Sequence, residues 1–284
     1  MSLESLIVGV LGAGQMGRGI TVSCLLAGYK IFLYDKQTEL LKISLGKIET
    51  SLKKLHERQS ISKEQMESAL ANLAFYPNLD QMQTANIFIE AIPEDYSIKG
   101  QLFRELSGML TSEKILASNT SSLSITKLAK NVVYPENFVG LHFMNPAEIM
   151  PLVEIIPGAQ TNESTLKKIE LFCKSIGKTT VLSKDTPGFI VNRLLIPMIN
   201  EAIYVLYQEI ATAADIDKAM KLGASFPQGP LALADMIGLD TCLAILQIMT
   251  KEYNNLKYTP CPLLEKYVIE GKLGRKTNEG FYKY

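Results

Sequence analysis

Residues 6–17 read LIVGVLGAGQMG, and this stretch decides the fold. Its first half, Leu6 to Leu11, is an apolar run with the length of a buried strand. The second half contains the spacing GxGxxG, and a helical pattern follows from Gln15 to about Leu26. A glycine motif that follows a strand and opens a helix is typical of a dinucleotide-binding unit.

Each glycine of the motif has its own physical role. Gly12 permits the tight turn after the strand, and Gly14 lets the backbone approach a pyrophosphate. Gly17 lets helix and strand pack closely, while the helix N-terminus faces the bound anion. We therefore expect a dinucleotide here, with a merely structural glycine-rich turn as the alternative.

The second strand indicates which dinucleotide is bound. It runs from Lys30 to Tyr34 and ends at Asp35, 23 residues after the first glycine of the motif. An acidic residue near this distance hydrogen-bonds the adenosine ribose and repels a 2′-phosphate. The position favours NAD, although the neighbouring Lys36 leaves NADP open.

Strands and helices then alternate up to residue 185, which predicts an α/β domain with a Rossmann-type doubly wound sheet. Residues 39–72 interrupt this alternation with two amphipathic patterns, predicted to be a helical hairpin that projects from the sheet. The second of these helices opens with a capping box formed by Ser62 and Gln65. The outer face of the first helix is basic, so it either meets an anionic ligand or is simply solvated.

Thr186-Pro187 marks the boundary to a second, all-α domain that spans residues 186–284. Thr186 is a suitable N-cap and Pro187 a suitable first residue for a helix over about 188–210. That helix is apolar nearly all round, which predicts burial partly against another subunit. Asn192 stands in its first turns, and a cleft between domains is a common position for a small-molecule site.

The stretch 140–154 carries the expected chemistry. His142, one of two histidines, ends one apolar run, and Glu154 lies inside the next, 12 residues later. A carboxylate in such a run needs a partner, so we expect the second strand to fold back and place Glu154 beside His142. An imidazole held by a buried carboxylate is a general acid/base unit. The alternative is a core histidine with an unrelated glutamate.

Loops at the carboxyl ends of strands converge on the ligand crevice of a doubly wound sheet. Glu94, Ser121 and His142 all follow predicted strands in this way. Turn and helix-cap chemistry alone would also account for the Ser/Thr-rich loop around Ser121.

Composition excludes several classes of protein. The formal net charge is zero, so there is no global basic field for nucleic acid. The four cysteines are dispersed, none forms a CxxC pair and none suggests a metal site, which is typical of a reduced, cytoplasmic protein. No basic residue precedes the first apolar run, Leu6 to Leu11, and no uninterrupted apolar run reaches the ~18 residues of a membrane span.

With these motifs in place, the chain resembles the 3-hydroxyacyl-CoA dehydrogenase family, and most closely its bacterial 3-hydroxybutyryl-CoA branch. The resemblance spans nearly the whole chain, and its specific segments are VLGAGQMGRGI, EAIPED, ILASNTSSLSI, GLHFMNP with LVEII, DTPGFIVNRLLIPMINEA, DIDKAMKLG, PQGPLALADMIGLD and LGRKTNEGFYKY.

The resemblance implies roles for individual residues. It makes His142 the catalytic base, Glu154 its orienting partner, Ser121 the residue that holds the substrate oxygen, and Asn192 a contact of the acyl oxygen. Lys54 and Arg58 fall where the family's basic residues approach the CoA phosphates. The NAD contacts fall on Gly12, Gly14, Gly17, Asp35, Glu94, Lys99 and Asn145.

The implied function is the NAD-dependent interconversion of short-chain (S)-3-hydroxyacyl-CoA and 3-oxoacyl-CoA. The resemblance also implies a homodimer formed through the C-terminal domain, and we expect no nucleic-acid, membrane or metal partner. Two departures stand near the site. Many relatives have Phe where this chain has Met144, and Pro-Val-Met-Lys where it has residues 148–151, EIMP. The missing lysine removes a positive charge, so CoA affinity or chain-length preference is expected to differ.

Two alternatives stay open at this point. One is another two-domain β-hydroxyacid or sugar-acid dehydrogenase, whose free acid would offer no remote phosphates to Lys54 and Arg58. The other is a non-catalytic NAD-binding relative. The acyl-chain length and the physiological direction are not determined by the sequence.

Overall fold

The chain divides into two compact units, Met1–Thr186 and Pro187–Tyr284, in a computed structural model. The boundary lies one residue from the expected seam. The structure describes residues 6–284, so residues 1–5 of the expected first domain lie outside it.

The first unit alternates strands and helices, as the sequence pattern predicts. Its strands are β1 Ile7–Leu11, β2 Lys30–Tyr34, β3 Leu73–Tyr76, β4 Ile87–Glu90, β5 Ile115–Ser118, β6 Phe138–Phe143, β7 Leu152–Pro157 and β8 Thr179–Leu182. Its helices are α1 Gln15–Leu26, α2 Thr38–Glu57, α3 Lys63–Ala71, α4 Tyr96–Leu106, α5 Ile125–Leu128 and α6 Glu163–Ser175.

The strands form one sheet in the order β3-β2-β1-β4-β5-β6-β7-β8. All neighbours are parallel except β6 and β7, which are antiparallel. β4, β5 and β6 are buried along their whole length, which is why they appear in the sequence as continuous apolar runs. The predicted Rossmann-type sheet is confirmed. The edge strand β3 was not predicted, because its run of four residues is too short to show a period.

The helical hairpin of α2 and α3 packs into the first unit. Leu41, Ile48 and Leu52 of α2 and Ala69 of α3 belong to the core that includes α1 and the sheet. The Ser62 capping box forms as predicted, with the Gln65 N–H donating to the Ser62 hydroxyl. The outer face of the hairpin stays in solvent, and on α2 it includes the exposed Lys47, Lys53, Lys54 and Arg58.

The start of α4 is set by a capping side chain. Asp95 is the N-cap, because its carboxylate accepts hydrogen bonds from the N–H groups of Ser97 and Ile98. Those bonds place the helix start at Tyr96.

The second unit is helical, and the all-α prediction is confirmed. Its helices are α7 Val191–Tyr207, α8 Ala213–Gly223, α9 Pro230–Ile237, α10 Leu239–Tyr253 and α11 Pro262–Ile269. Its core is formed by apolar side chains of all five helices, including Ile199, Ile216, Leu231, Leu246 and Leu264.

The predicted start of α7 was wrong. Neither Thr186 as N-cap nor Pro187 as first residue is observed, and the helix begins at Val191. Gly188 and Phe189 have φ angles of +79° and +48°, in the left-handed region, which a right-handed helix cannot include. The sequence pattern shows the apolar face continuing through these residues but not their backbone conformation.

Among residues 6–284, no single helix is long and apolar enough to cross a bilayer, whereas α9 and α10, which meet at an angle of 94°, pass that criterion only as a pair.

Candidate active site

The glycine-rich loop between β1 and α1 has the shape that a dinucleotide requires. Gly12 has a φ of +109°, and a Cβ at Gly17 would collide with the carbonyl oxygen of Gly12. A Cβ at Gly14, by contrast, would meet no atom within 4 Å, so the backbone is open to a ligand there. Gly14 is also the N-cap of α1, which leaves the N-terminal end of that helix without a capping side chain.

Asp35 closes this loop from the end of β2. Its carboxylate accepts hydrogen bonds from the N–H groups of Ala13, at 3.0 Å, and Gln37, at 2.9 Å. The acidic group is thus held beside the glycine loop, where an adenosine ribose is expected. Loop and carboxylate together fit NAD.

His142 and Glu154 face each other across β6 and β7. The antiparallel register pairs these two residues directly, and 2.6 Å separates His142 Nδ1 from Glu154 Oε2. The side chain of His142 is 8% exposed and that of Glu154 is fully buried. Because an ionised carboxylate can only accept, Nδ1 carries the hydrogen, and Nε2 is the nitrogen suited to exchange a proton.

A buried ion-pair network lies at the carboxyl ends of β4 and β5. Lys99, which is 1% exposed, donates to Glu90 Oε1 at 2.5 Å and lies 3.4 Å from Glu94 Oε2. Burial raises the pKa of the Glu90 carboxyl, and the positive charge of Lys99 counteracts that rise. Lys99 therefore holds Glu94 through the charge of a buried ammonium group.

Glu94 in turn organises the loop that carries Ser121. Its Oε1 accepts from the N–H of Ser121 at 2.8 Å, from the Ser121 hydroxyl at 3.2 Å, and from the hydroxyl groups of Thr120 and Ser122. Burial acts to raise the pKa of Glu94, but the charge of Lys99 and the hydrogen bonds from this loop outweigh it, so the pKa is lowered. Glu94 stays ionised and holds Ser121 in place.

Two further hydrogen bonds join these segments. Asn119, in the loop after β5, accepts from the N–H of Phe143, the residue next to His142, at 2.9 Å. Asn145 accepts from the amide of Gln15, in the first turn of α1, at 3.0 Å. These bonds connect the glycine-rich loop, the Ser121 loop and the end of β6 at the carboxyl ends of the central strands.

Comparison with known proteins agrees with this geometry. The sequence model for the 3-hydroxyacyl-CoA dehydrogenase NAD binding domain matches residues 7–186, and that for the C-terminal domain of the same family matches residues 188–284. The chain belongs to the 3-hydroxyacyl-CoA dehydrogenase family.

Individual relatives of this 3-hydroxyacyl-CoA dehydrogenase family member cover nearly the whole chain. A 3-hydroxybutyryl-CoA dehydrogenase of Bradyrhizobium diazoefficiens is 46% identical over 98% of this chain and 94% of its own. The crystal structure of FadB2 from Mycobacterium tuberculosis has a TM-score of 0.95 at 38% identity, and that of (S)-3-hydroxybutyryl-CoA dehydrogenase from Ralstonia eutropha 0.94 at 41%. Each of these two structures covers 98% of both chains.

The two basic residues that the family resemblance assigned to CoA take different positions on α2. Lys54 lines a groove of about 280 Å³ in the first unit, whereas Arg58 is the exposed C-cap residue of the helix and is outside that lining. The groove also contains Gln15, Arg18, Lys47, Ser51 and Glu148.

Asn192 lies in the first turn of α7, in the second unit. The next residue, Arg193, stacks its guanidinium on the rings of Tyr253 and Tyr258, with centroid distances of 3.8 and 4.7 Å. The Tyr253 hydroxyl donates to the carbonyl of Pro187 at 3.0 Å. These contacts hold the segment that leads into Asn192.

Several site-forming residues of this family member were not singled out from the sequence. Glu90 is the clearest case, because it is a carboxylate inside the apolar run IFIEAI and the argument used for Glu154 applies to it equally. Arg18 has no such signal, and Glu148 stood out only as part of the departure at residues 148–151, since only the folded chain brings α1 and the loop after β6 together. Within residues 6–284, no group of three or more His, Cys, Asp or Glu side chains is arranged to hold a metal ion.

Proposed function

We propose that this chain interconverts (S)-3-hydroxybutyryl-CoA and acetoacetyl-CoA with NAD, and that His142 and Glu154 are its acid/base pair. The proposal rests mainly on the 2.6 Å contact between His142 Nδ1 and the fully buried Glu154. His142 lies near the carboxyl end of β6, and the glycine-rich loop follows the carboxyl end of β1 in the same sheet. Relatives at up to 46% identity named for the same conversion support the choice of substrate.

His142 moves the proton in this reaction. In the oxidative direction its Nε2 takes the proton of the 3-hydroxyl group, and the imidazolium that forms is stabilised by the carboxylate of Glu154 on the other nitrogen. In the reductive direction the imidazolium returns that proton to the 3-oxo oxygen. NAD, when bound at the glycine-rich loop, supplies the acceptor for the hydride that leaves C3.

Ser121 orients the reacting oxygen in the proposed mechanism. Its backbone N–H and hydroxyl both bond to Glu94, which fixes the loop before substrate arrives. The Ser121 hydroxyl has a single hydrogen, so it turns from Glu94 to donate to the substrate oxygen, while the bond from the backbone N–H keeps the loop in place. Glu94 and Lys99 thus act as positioning residues for Ser121 and for the cofactor side of the loop.

The remaining substrate contacts are part of the same proposal. Lys54 and Arg58 are assigned to the phosphates of CoA, and Lys54 already stands in a groove with other cations. Asn192 is assigned to the acyl oxygen, because it occupies the position of the asparagine in the family's VNR segment.

The decisive experiment follows NADH oxidation with acetoacetyl-CoA for the wild-type protein and for His142→Gln. The variant should bind NADH normally and lose turnover by about 10²–10⁴-fold, the usual contribution of positioned acid/base catalysis. Near-normal turnover by His142→Gln would contradict the assignment. A series of 3-oxoacyl-CoA substrates from four to sixteen carbons, with free acetoacetate as the control, separates this function from that of a free-hydroxyacid dehydrogenase.

We further propose a homodimer formed through the second unit. Leu194 on α7 is 69% exposed in the single chain, and Ile210 just beyond that helix is 67% exposed. A dimer interface that covers these side chains would remove their apolar surface from water, which favours association. Analytical ultracentrifugation of the wild type and of Leu194→Glu tests this, and a monomeric wild type would contradict it.

A cytoplasmic location is proposed from the thiol chemistry. The four cysteines are free and buried in the structure, as in proteins of reducing compartments. Cell fractionation tests the location directly, and recovery in an extracellular fraction would contradict it.

A further inference from the structure

The basic groove beside Lys54 contains one carboxylate that the proposed reaction does not use. Arg18 from α1 and Lys47 and Lys54 from α2 contribute three positive charges, and Glu148 from the loop after β6 contributes one negative charge. Three cations in one groove of about 280 Å³ are suited to bind phosphate groups. A fixed anion in the same groove opposes that binding.

Glu148 is held in this position by its backbone. The carbonyl of the preceding residue, Ala147, accepts hydrogen bonds from the Ser23 hydroxyl at 3.1 Å and from the Lys178 ammonium at 2.6 Å. The loop packs so closely on α1 that a Cβ at Gly19 would collide with the Glu148 carboxylate. The Glu148 carboxylate therefore lies against α1.

The charge of Glu148 reaches the cations of the groove. Burial lowers the pKa of Arg18, and the nearby carboxylate of Glu148 counteracts this by favouring the charged guanidinium. Glu148 is only partly buried, so its charge also acts on any anion that enters the groove.

The side of the groove formed by Lys47 and Lys54 lies away from the expected adenosine site of NAD. Asp35 stands just before the start of α2 at Thr38, whereas Lys47 and Lys54 are 9 and 16 residues further along that helix. At 1.5 Å per residue, these positions are about 14 and 24 Å from the helix start. A phosphate bound beside Lys54 would therefore lie far from the adenosine ribose, whereas the Gln15 end of the groove adjoins the glycine-rich loop.

We infer that Glu148 is a specificity-determining residue that weakens binding of the phosphate groups of CoA. This inference rests on the proposed function. The carboxylate reduces the preference of the groove for CoA over a carrier without phosphates. A unit charge about 7 Å from a phosphate, at an effective dielectric constant of about 60, changes affinity about fourfold.

The test compares two thioesters with the full-length protein at saturating NADH. Acetoacetyl-CoA carries the phosphates, and acetoacetyl-pantetheine has the same reactive end without them. Glu148→Gln keeps the shape of the side chain and removes its charge. We expect this variant to lower the KM for acetoacetyl-CoA about fourfold at low salt and to leave the KM for acetoacetyl-pantetheine and both kcat values unchanged.

Salt and a matched control separate electrostatics from structure. The gain for acetoacetyl-CoA should shrink at ~0.5 M salt, because exposed charges are then screened within a few ångströms. Glu113→Gln removes an equal charge from an exposed turn of the same unit and should change neither KM.

Three results would overturn the inference. An unchanged KM for acetoacetyl-CoA in Glu148→Gln would show that the carboxylate does not act on the phosphates. An equal change for both thioesters would assign Glu148 a structural role, and an equal gain in NADH affinity would assign the groove to the cofactor. If the wild type reduces neither thioester, the proposed function itself is wrong, which is a distinct outcome.

Discussion

Replacing Glu154 by Gln tests whether the carboxylate contributes to the proton transfer. The substitution keeps the size of the side chain and removes its negative charge at a position with no solvent exposure. His142 Nδ1 is 2.6 Å from Glu154 Oε2, so a neutral hydrogen bond can still form in the variant. What the variant loses is the charge that stabilises the imidazolium.

The size of the effect follows from that contact. A hydrogen bond to a charged group contributes about 1.5–3 kcal/mol, and this contribution is made mainly when His142 carries the proton. Loss of it in the transition state corresponds to a decrease in kcat of roughly 10- to 150-fold. The affinity for NADH should not change, because Glu154 does not touch the glycine-rich loop in the proposed mechanism.

The assay measures kcat for acetoacetyl-CoA reduction and NADH affinity by fluorescence. Asp185→Asn is the matched control, since that carboxylate caps α5 through the N–H groups of Ile125 and Thr126 and has no proposed chemistry. Adding Glu154→Gln to His142→Gln should cost nothing further, because the carboxylate acts only through the imidazole. A folded Glu154→Gln protein with kcat within about threefold of the wild type would refute the reasoning.

Three more predictions concern the cofactor and the buried network. Asp35→Asn keeps an oxygen that accepts from the Ala13 N–H but removes the charge that repels a 2′-phosphate. The ratio of NADH affinity to NADPH affinity should therefore fall about tenfold in fluorescence titrations. An unchanged ratio would show that Asp35 does not contact the ribose. Lys99→Met leaves the carboxylates of Glu90 and Glu94 without their positive partner and should lower the free energy of unfolding by about 3–5 kcal/mol in urea titrations. A loss below about 1 kcal/mol would mean that the ion pair is dispensable. Because the pKa of Glu94 is lowered by folding, its stabilising effect is present above its ordinary pKa of about 4.3 and is lost as the pH falls through the lowered value. The wild type should therefore lose more stability than Glu94→Gln between about pH 5 and pH 3, and parallel stability curves would contradict this.

The first unit could be predicted well from the sequence because its signals are local. A strand, a GxGxxG turn, a helix and an acidic strand end occur in order, and each depends on residues within about ten positions of it. The contact between His142 and Glu154 was also predictable, since a buried carboxylate requires a partner and the turn between the two runs is short.

The features that were missed depend on contacts between distant segments. The groove around Glu148 exists only when the loop after β6 packs on Gly19 of α1, more than 100 residues earlier. The start of α7 depends on the left-handed backbone of Gly188 and Phe189, and Phe189 in particular carries no sequence signal for that conformation. Local propensity does not contain such information.

The antiparallel pairing of β6 with β7 has a practical consequence for anyone who prepares this protein. Side chains alternate between the two faces of a sheet, so a slip of one residue would turn His142 and Glu154 to opposite sides. A molecule with the shifted register would retain its helices and its glycine-rich loop but would be inactive. In a refolded or heat-stressed sample, specific activity would then measure the fraction of molecules with the native β6–β7 register. Circular dichroism would overestimate that fraction, because it reports secondary structure.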